Sequence, residues 1–271
     1  MPHHGITYRG KHSDEFGVIV KTVGRPPVAP VKQVDEEVTY RDGNLDLSET
    51  GGRLYYQDKV LQLEFTFIRP DTLELHMSVA RFVEWLSGGY AELVFDDMPS
   101  VAWIAKPAEL DDITIERFKN SKTVVQFRCR PFNKFLYDSR GIPLGAKIRL
   151  GAAIPIGMGT ENYITFSNGT THQNLNYLGS APVRPVVKIS LNSGTQSNMT
   201  LEVGGVSVTI GSIPSNQREF VIDCESGTMP EGVEGDFFEI IPGDNEITVV
   251  NNGSGGTVFF DYRHNFLYGG L

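Results

Sequence analysis

The residues with the most obvious chemical potential open the chain. Gly5-Ile6-Thr7-Tyr8-Arg9-Gly10-Lys11-His12-Ser13 meets the phosphate-loop spacing G-x-x-x-x-G-K-[ST] at Gly5, Gly10 and Lys11. At the next position stands His12, where the chemistry needs a hydroxyl to ligate Mg²⁺. A phosphate loop also joins a buried strand to a helix N-terminus, whereas Phe16-Gly17-Val18-Ile19-Val20 reads as a strand. The stretch is therefore read as a hairpin: strand Ile6-Thr7-Tyr8, a short turn and a second strand. The acidic groups fare no better. Asp42-Gly43-Asn44-Leu45-Asp46 has its glycine second, not sixth as a calcium loop requires. Asp96-Asp97 and Asp111-Asp112 are neighbours in sequence, so on a strand they point to opposite faces and do not converge on one sugar. All three sites read as turns.

The six histidines (His3, His4, His12, His76, His172 and His264) show no H-x-H or H-E-x-x-H spacing. Gly157 and Gly159 begin a dinucleotide fingerprint that Asn162 breaks. No serine or cysteine lies in a G-x-S-x-G frame. The two cysteines, Cys129 and Cys224, are far apart and read as buried free thiols. The sequence therefore predicts no enzyme, no cofactor and no metal site. What remains is surface, in particular Tyr163, Tyr177 and Tyr268 as exposed aromatics able to stack on a sugar or anchor a partner.

The elements that position these residues are mostly strands. Asp42-Gly43-Asn44 marks a hairpin turn in a β stretch that begins at Val38. Leu61, Leu63, Phe65 and Phe67 alternate with Gln62, Glu64 and Thr66, the period of a strand buried on one side. One helix follows, starting at Asp71 with Glu74 three residues on, or near Ser78 if its first turn continues the strand, and ending at Gly88-Gly89. Its apolar stripe is Leu75, Val79, Phe82, Val83 and Leu86. A hairpin turning at Asp96-Asp97-Met98-Pro99 comes next, then another turning at Lys119-Asn120-Ser121. Beyond residue 137 helix signals vanish. Six strand candidates, PVVKISLN, MTLEVGG, VSVTIGS, EFVIDCE, NEITVV and TVFFDYR, follow at the spacing of a β-sandwich.

Composition sets the outer limits. The 271 residues allow one large or two modest domains, and 40% apolar with 21% charged residues describes a globular chain. A net charge of −9 argues against a protein that grips nucleic acid. No apolar run of 18 residues spans a membrane, and the N-terminus lacks the layout of a signal peptide. The three Asn-x-Ser/Thr sequons, at Asn168, Asn198 and Asn252, read as turns. The expected fold is mainly β. A sheet or small sandwich with one helix laid against it covers residues 1–137, and a β-sandwich covers 138–271.

The order of these pieces resembles the distal tail protein family of bacteriophages with long non-contractile tails. GITYRGKHSDEFGVIVKTVGRPPVAPVKQVDEEVTYRDGNLDL is similar to that family's opening strands, Arg-Pro stretch and R-D-G-x-x-D hairpin. YYQDKVLQLEFTF, ARFVEWLSGGYAELVFDDMPSVAWIAK and VVQFRCRPFNKFLYD resemble its long strand, its helix with the following D-D-x-P hairpin, and its closing strand. FVIDCESG, EIIPGDNEITV and VFFDYRHNFL resemble the I-D-C, L-x-P-G-x-N-x-I and Y-R-x-x-x-L elements of the second half. The resemblance implies a hexameric ring at the tail tip, single or doubled, with DNA passing through its lumen unbound. It implies a galectin-like second domain that docks host-recognition proteins. The partners would be the tail tube protein, a tail-associated tip protein and receptor-binding proteins. The chain would sit in the virion tail tip after assembly in the host cytoplasm, with no membrane insertion. Ring contacts are expected at the helix edge and the hairpin, with Asp42, Arg53, Tyr55, Tyr56 and Trp85 as candidates. GIPLGAKIRLGAAIPIGMG is either a short arm or the interdomain connection. The other reading of the chain is a β-sandwich that binds surface glycans through Tyr163, Tyr177 and Tyr268.

Overall fold

The computed structural model of the chain describes residues 5–40, 42–50, 52–68, 72–110, 114–115, 120–136, 162–192, 196–211 and 218–268. Two compact units divide between Lys134 and Phe135. The second runs to Phe266, and Leu267 and Tyr268 belong to the first. The expected domain cut at residue 137 lies outside the described residues, as does the Gly-rich segment after it.

The first unit is one long antiparallel sheet with a helix on its buried face. Its strands are β1 (Ile6–Tyr8), β2 (Lys11–His12), β3 (Val18–Gly24), β4 (Asp35–Glu36), β5 (Leu45–Asp46), β6 (Lys59–Ile68), β7 (Ala91–Phe95), β8 (Met98–Leu110), β9 (Thr114–Ile115) and β10 (Asn120–Phe135), with helix α1 (Thr72–Leu86) between β6 and β7. The sheet order is β2-β1-β7-β8-β10-β6-β3, with β9 on β10, while β4 and β5 form a separate two-stranded ribbon. The alternation in β6 does what its period predicts. Leu61, Leu63, Phe65 and Phe67 are fully buried, and the two phenylalanines meet Phe82 and Trp85 of the helix edge-on: Phe65 meets both and Phe67 meets Phe82.

Three expectations about this unit need correction. Phe16 belongs to a 3₁₀ turn, Ser13–Phe16, and the strand starts only at Val18. The turn ends because Gly17 takes the left-handed conformation (φ 60°). In the helix, Val83 is 40% exposed and Trp85 joins the buried stripe in its place. Phe82, Trp85 and Leu86 share a face at i, i+3 and i+4, and Val83 is turned about 100° away. The expected helix start at Asp71 lies outside the described residues. The hairpin at Asp42 is real, but its arms are Asp35–Glu36 and Leu45–Asp46, so the loop between them is much longer than a tight turn.

The opening stretch is a hairpin, as expected. Arg9 (φ 52°) and Gly10 (φ 76°) form its two-residue turn, both left-handed as such a turn requires. His12 caps the 3₁₀ turn: its Nδ1 accepts from the Asp14 amide, and the Glu15 carboxylate accepts from the His12 amide. Its Nε2–H is left to donate to Asp96, 3.1 Å away. Asp96 also accepts from the Gly5 amide at 3.0 Å. The residues that mimic a phosphate loop thus hold the first hairpin to the β7–β8 turn.

The second unit contains β11 (Tyr163–Phe166), β12 (Gly169–Tyr177), β13 (Val186–Leu191), β14 (Gln196–Val203), β15 (Val206–Ile210), β16 (Glu219–Asp223), β17 (Val233–Gly235), β18 (Gly243–Gly253), β19 (Gly256–Asp261) and β20 (Asn265–Phe266). Two antiparallel sheets, β11-β19-β13-β16 and β12-β18-β14-β15-β17, enclose one apolar core. All six strands read from the sequence are present. In β12 only the end, Leu175 and Tyr177, is buried, and the rest is an exposed polar edge paired to β18.

Candidate assembly interface

The acidic ribbon and its flanks carry most of the candidate contact residues. Asp42 is exposed in the loop beyond β4. Tyr55 is 43% exposed, and the Arg53 guanidinium lies 4.9 Å from its ring centre. Tyr56 is half-buried: its backbone bridges Val31 and its ring meets Phe132 edge-on at 5.6 Å. Backbone bonds Lys32 to Tyr55 and Gln57 to Pro30 tie the flanks together. Trp85 is only 5% exposed, stacked 4.5 Å from Phe16 and donating from Nε1 to the Tyr8 carbonyl. It is therefore floor, with little surface of its own.

The three tyrosines of the second set separate in the same way. Tyr163 is half-exposed and lies flat on Phe259, 4.4 Å between ring centres. Tyr268 is 54% exposed. Tyr177 is 1% exposed: its hydroxyl donates to the Ala181 carbonyl and accepts from the Asn265 amide. A ring so enclosed has no face for a sugar, and Tyr177 is corrected from contact residue to core.

The most unusual electrostatics lie beneath these surfaces. Lys59 occupies the core face of β6, in line with Leu61 and Leu63, and is 1% exposed. Its Nζ donates to Asn133 Oδ1 at 2.8 Å and lies 4.0 Å over the Trp103 ring. Burial lowers its pKa to about 8. Arg25, just past the end of β3, reaches Phe95 and Trp103 and pairs with Asp97 at 2.9 Å. Cys129, directly across the ladder from Lys59, is a free thiol that burial pushes up to about 12. Cys224 is the equivalent in the second unit, pushed up to about 11. There His264 is 4% exposed, stacked on Tyr177, and held down to about 4 by burial. Both thiols are thiol rather than thiolate near neutrality, which makes them poor nucleophiles.

Sequence reasoning missed two features. Lys59 was legible: it is the first member of the alternation that buries Leu61, Leu63, Phe65 and Phe67. Tyr40 carried no periodic signal, yet it is fully exposed (104%) in a left-handed conformation (φ 67°). Among the described residues no group of three or more His, Cys, Asp and Glu could hold a metal ion, and no helix is long and apolar enough to cross a membrane. The arrangement offers contact surfaces on rigid sheets.

Comparison with known proteins agrees with this picture. Residues 13–129 match the family described as phage tail protein RIFT-related domain. Over 96% of its length the chain shares the fold of the crystal structure of SPP1 Dit, presented as a paradigm of hub adsorption apparatus in phages infecting Gram-positive bacteria. The match covers 98% of that chain with a TM-score of 0.65 at 11% identity. Among curated proteins nothing matches. The resemblance to the distal tail family, and the mainly β fold it implied, are borne out by a family match over residues 13–129 and a fold match over nearly the whole chain.

Proposed function

We propose that this distal-tail protein is the hub of a long non-contractile phage tail: a ring of six copies, single or doubled, that joins the tail tube to the tip. In this reading the first domain, residues 1–137, closes the ring. The second, residues 138–271, is a galectin-like sandwich that docks receptor-binding proteins. A tail-associated tip protein lies beyond the ring, DNA crosses the lumen without specific binding, and assembly takes place in the host cytoplasm. The chain performs no turnover.

One observation carries the reading: a fold match that spans nearly the whole of both chains, with the family match lying within the first unit. The net charge of −9 suits a lumen that DNA must pass without being held. The exposed apolar side chains of the first unit, among them Ile19, Leu73 and Met77, suit a domain completed by neighbours. Immunogold electron microscopy of phage particles carrying this chain tests it. Label at the tail end remote from the capsid is expected, and label on the capsid or along the whole tail would overturn it.

A second reading rests on Tyr163. Its flat, half-exposed ring on Phe259 is a platform on which a sugar could stack. Retention on a glycan array that disappears with Tyr163→Ala would support direct sugar binding by the second domain. Equal retention by both proteins would reject it.

A further inference from the structure

The core of the first unit sets an amine against an amide. Lys59 stands on the inner face of β6 and is 1% exposed, and Asn133, near the end of β10, is fully buried. Lys59 Nζ donates to Asn133 Oδ1 at 2.8 Å. Among the described residues that is its one hydrogen bond, although an ammonium has three donors; its other close neighbour is the Trp103 ring at 4.0 Å. Asn133 Nδ2 is buried with no hydrogen-bond partner among the described residues, and so are Arg25 Nε and Trp103 Nε1. As a hydrogen-bonded pair the arrangement is poor, because a buried charge and an orphaned amide each cost free energy.

For a reaction between the two groups it is a good one. A carbonyl bond is about 1.2 Å long, so Nζ lies no more than about 4 Å from Cγ, near the separation from which attack begins. Burial holds the Lys59 pKa down to about 8, so roughly a tenth of these amines are uncharged and nucleophilic at pH 7. The Cys129 thiol across the ladder is pushed up to about 12 and stays protonated, which leaves the amine as the nucleophile of this pocket. Arg25, held by Asp97 at 2.9 Å, is close enough to oppose the ammonium charge. The same positive charge favours an oxygen that is becoming negative.

We propose that Lys59 and Asn133 condense to an intramolecular amide, Nζ to Cγ, with loss of ammonia. The Nζ lone pair forms the bond to Cγ while the carbonyl π pair moves to Oδ1. The tetrahedral carbon then reforms its double bond to Oδ1 and breaks the Cγ–Nδ2 bond. Nδ2 leaves as ammonia with a proton taken from Nζ. No oxidant, cofactor or second molecule enters. The product keeps one N–H and one carbonyl, so the buried charge and the orphaned amide disappear together. Lys59 titrates only in chains that have not condensed. The bond joins residues 74 apart and closes a loop that holds β6, α1 and most of β10. It fastens the chain just before the second unit begins at Phe135.

Mass spectrometry of the purified full chain, kept in buffer at pH 8 and sampled over days, tests this. The expected intact mass falls short of the sequence mass by one ammonia, in a fraction that grows with time. A digest should yield one branched peptide joining residues 59 and 133. Lys59→Arg, which keeps the charge and lacks the amine, should show the full mass and no branched peptide. Wild type held unfolded in guanidinium chloride should do the same. Full mass of the folded wild type at every time point overturns the proposal. So does an ammonia loss without the branched peptide, which a succinimide at Asn168-Gly169 or Asn252-Gly253 would produce. A branched peptide that forms equally fast in guanidinium chloride also overturns it, because the fold would then play no part.

Discussion

The two units solve the same problem, burying one face of a curved antiparallel sheet, in different ways. The second lays sheet on sheet and closes around a core of aliphatic and aromatic side chains. The first covers its sheet with a single helix and leaves Ile19, Val23, Val60, Leu73 and Met77 in solvent. Each unit also buries one base. In the first it is Lys59, hydrogen-bonded to Asn133 beneath Trp103; in the second it is His264, packed among Tyr177, Tyr262 and Phe266. The second unit leaves Val221, Ile241 and Val250 in solvent as well, so the two differ in what covers the sheet rather than in how much apolar surface stays exposed.

Both tryptophans, Trp85 and Trp103, lie in the first unit, so their fluorescence follows that unit alone, while circular dichroism follows both. The largest expected effect uses this separation. Trp103→Phe keeps the optical probe to Trp85 and should do modest harm, whereas Trp103→Ala opens a cavity in a fully buried site and should cost about 3–5 kcal/mol. Urea unfolding followed by Trp85 fluorescence should register that loss, with the β signal of the second unit unchanged. A simultaneous collapse of both units would contradict their independence.

Acid should then distinguish the units in the opposite sense. The folded state holds His264 down to about 4, below its ordinary 6.5, so the unfolded chain binds the extra proton first. The second unit is therefore at full stability above pH 6.5 and loses about 3 kcal/mol as pH falls from 6.5 to 4. His264→Phe should flatten that decline in circular dichroism melts without altering Trp fluorescence. An equal decline in the variant would place the acid sensitivity elsewhere.

Asn245, the asparagine of the EIIPGDNEITV element, gives the next effect. It is 4% exposed, accepts from the Ile241 amide and donates to the carbonyls of Ile241 and Gly243. Asn245→Ala leaves those part-buried backbone groups without their partner in a turn whose other residues are exposed, and should cost about 1–2 kcal/mol in the second unit only. Asn245→Asp, which keeps the acceptor and loses the donors, should lie between the two. A neutral Asn245→Ala would contradict the role of that side chain in holding the turn.

The smallest effect belongs to Lys59. Its folded pKa, about 8, is below the ordinary 10.5, so burying it destabilises the first unit at neutral pH and the penalty is relieved as pH rises through that interval. The thiol of Cys129, pushed up to about 12, acts in the reverse direction above its ordinary 9. The clean window is thus pH 8 to 9, where the first unit should gain about 1 kcal/mol relative to Lys59→Met. The slope difference is the readout, because the variant also leaves Asn133 unpaired at every pH. Parallel slopes would show that Lys59 is already neutral, or is solvated in the fold.

How much of this was legible follows from which forces set each element. The β6 alternation and the six strands of the second unit are written in local periodicity, and they were read. So was the Arg9-Gly10 turn, because a two-residue hairpin demands its conformations. Val83 and Trp85 changed places because the helix stripe was traced by apolar spacing alone, and the hydrogen bond from Trp85 to Tyr8 is a tertiary fact. Tyr177 looked like any other surface tyrosine until Ala181 and Asn265 closed over its hydroxyl. β12 was missed because its partner β18, not its own composition, makes it a strand. Surface exposure was the least legible part: Tyr40 carries no periodic signal, and only its backbone angle and exposure set it apart from Tyr55.

The ring remains the central claim, and native mass spectrometry of the purified chain at micromolar concentration, with negative-stain images of the same sample, tests it most directly. Six-fold or twelve-fold multiples of 30.0 kDa, with annular particles, are the predicted result. A monomer that persists at high concentration, and still persists after the tail tube protein is added, would contradict it.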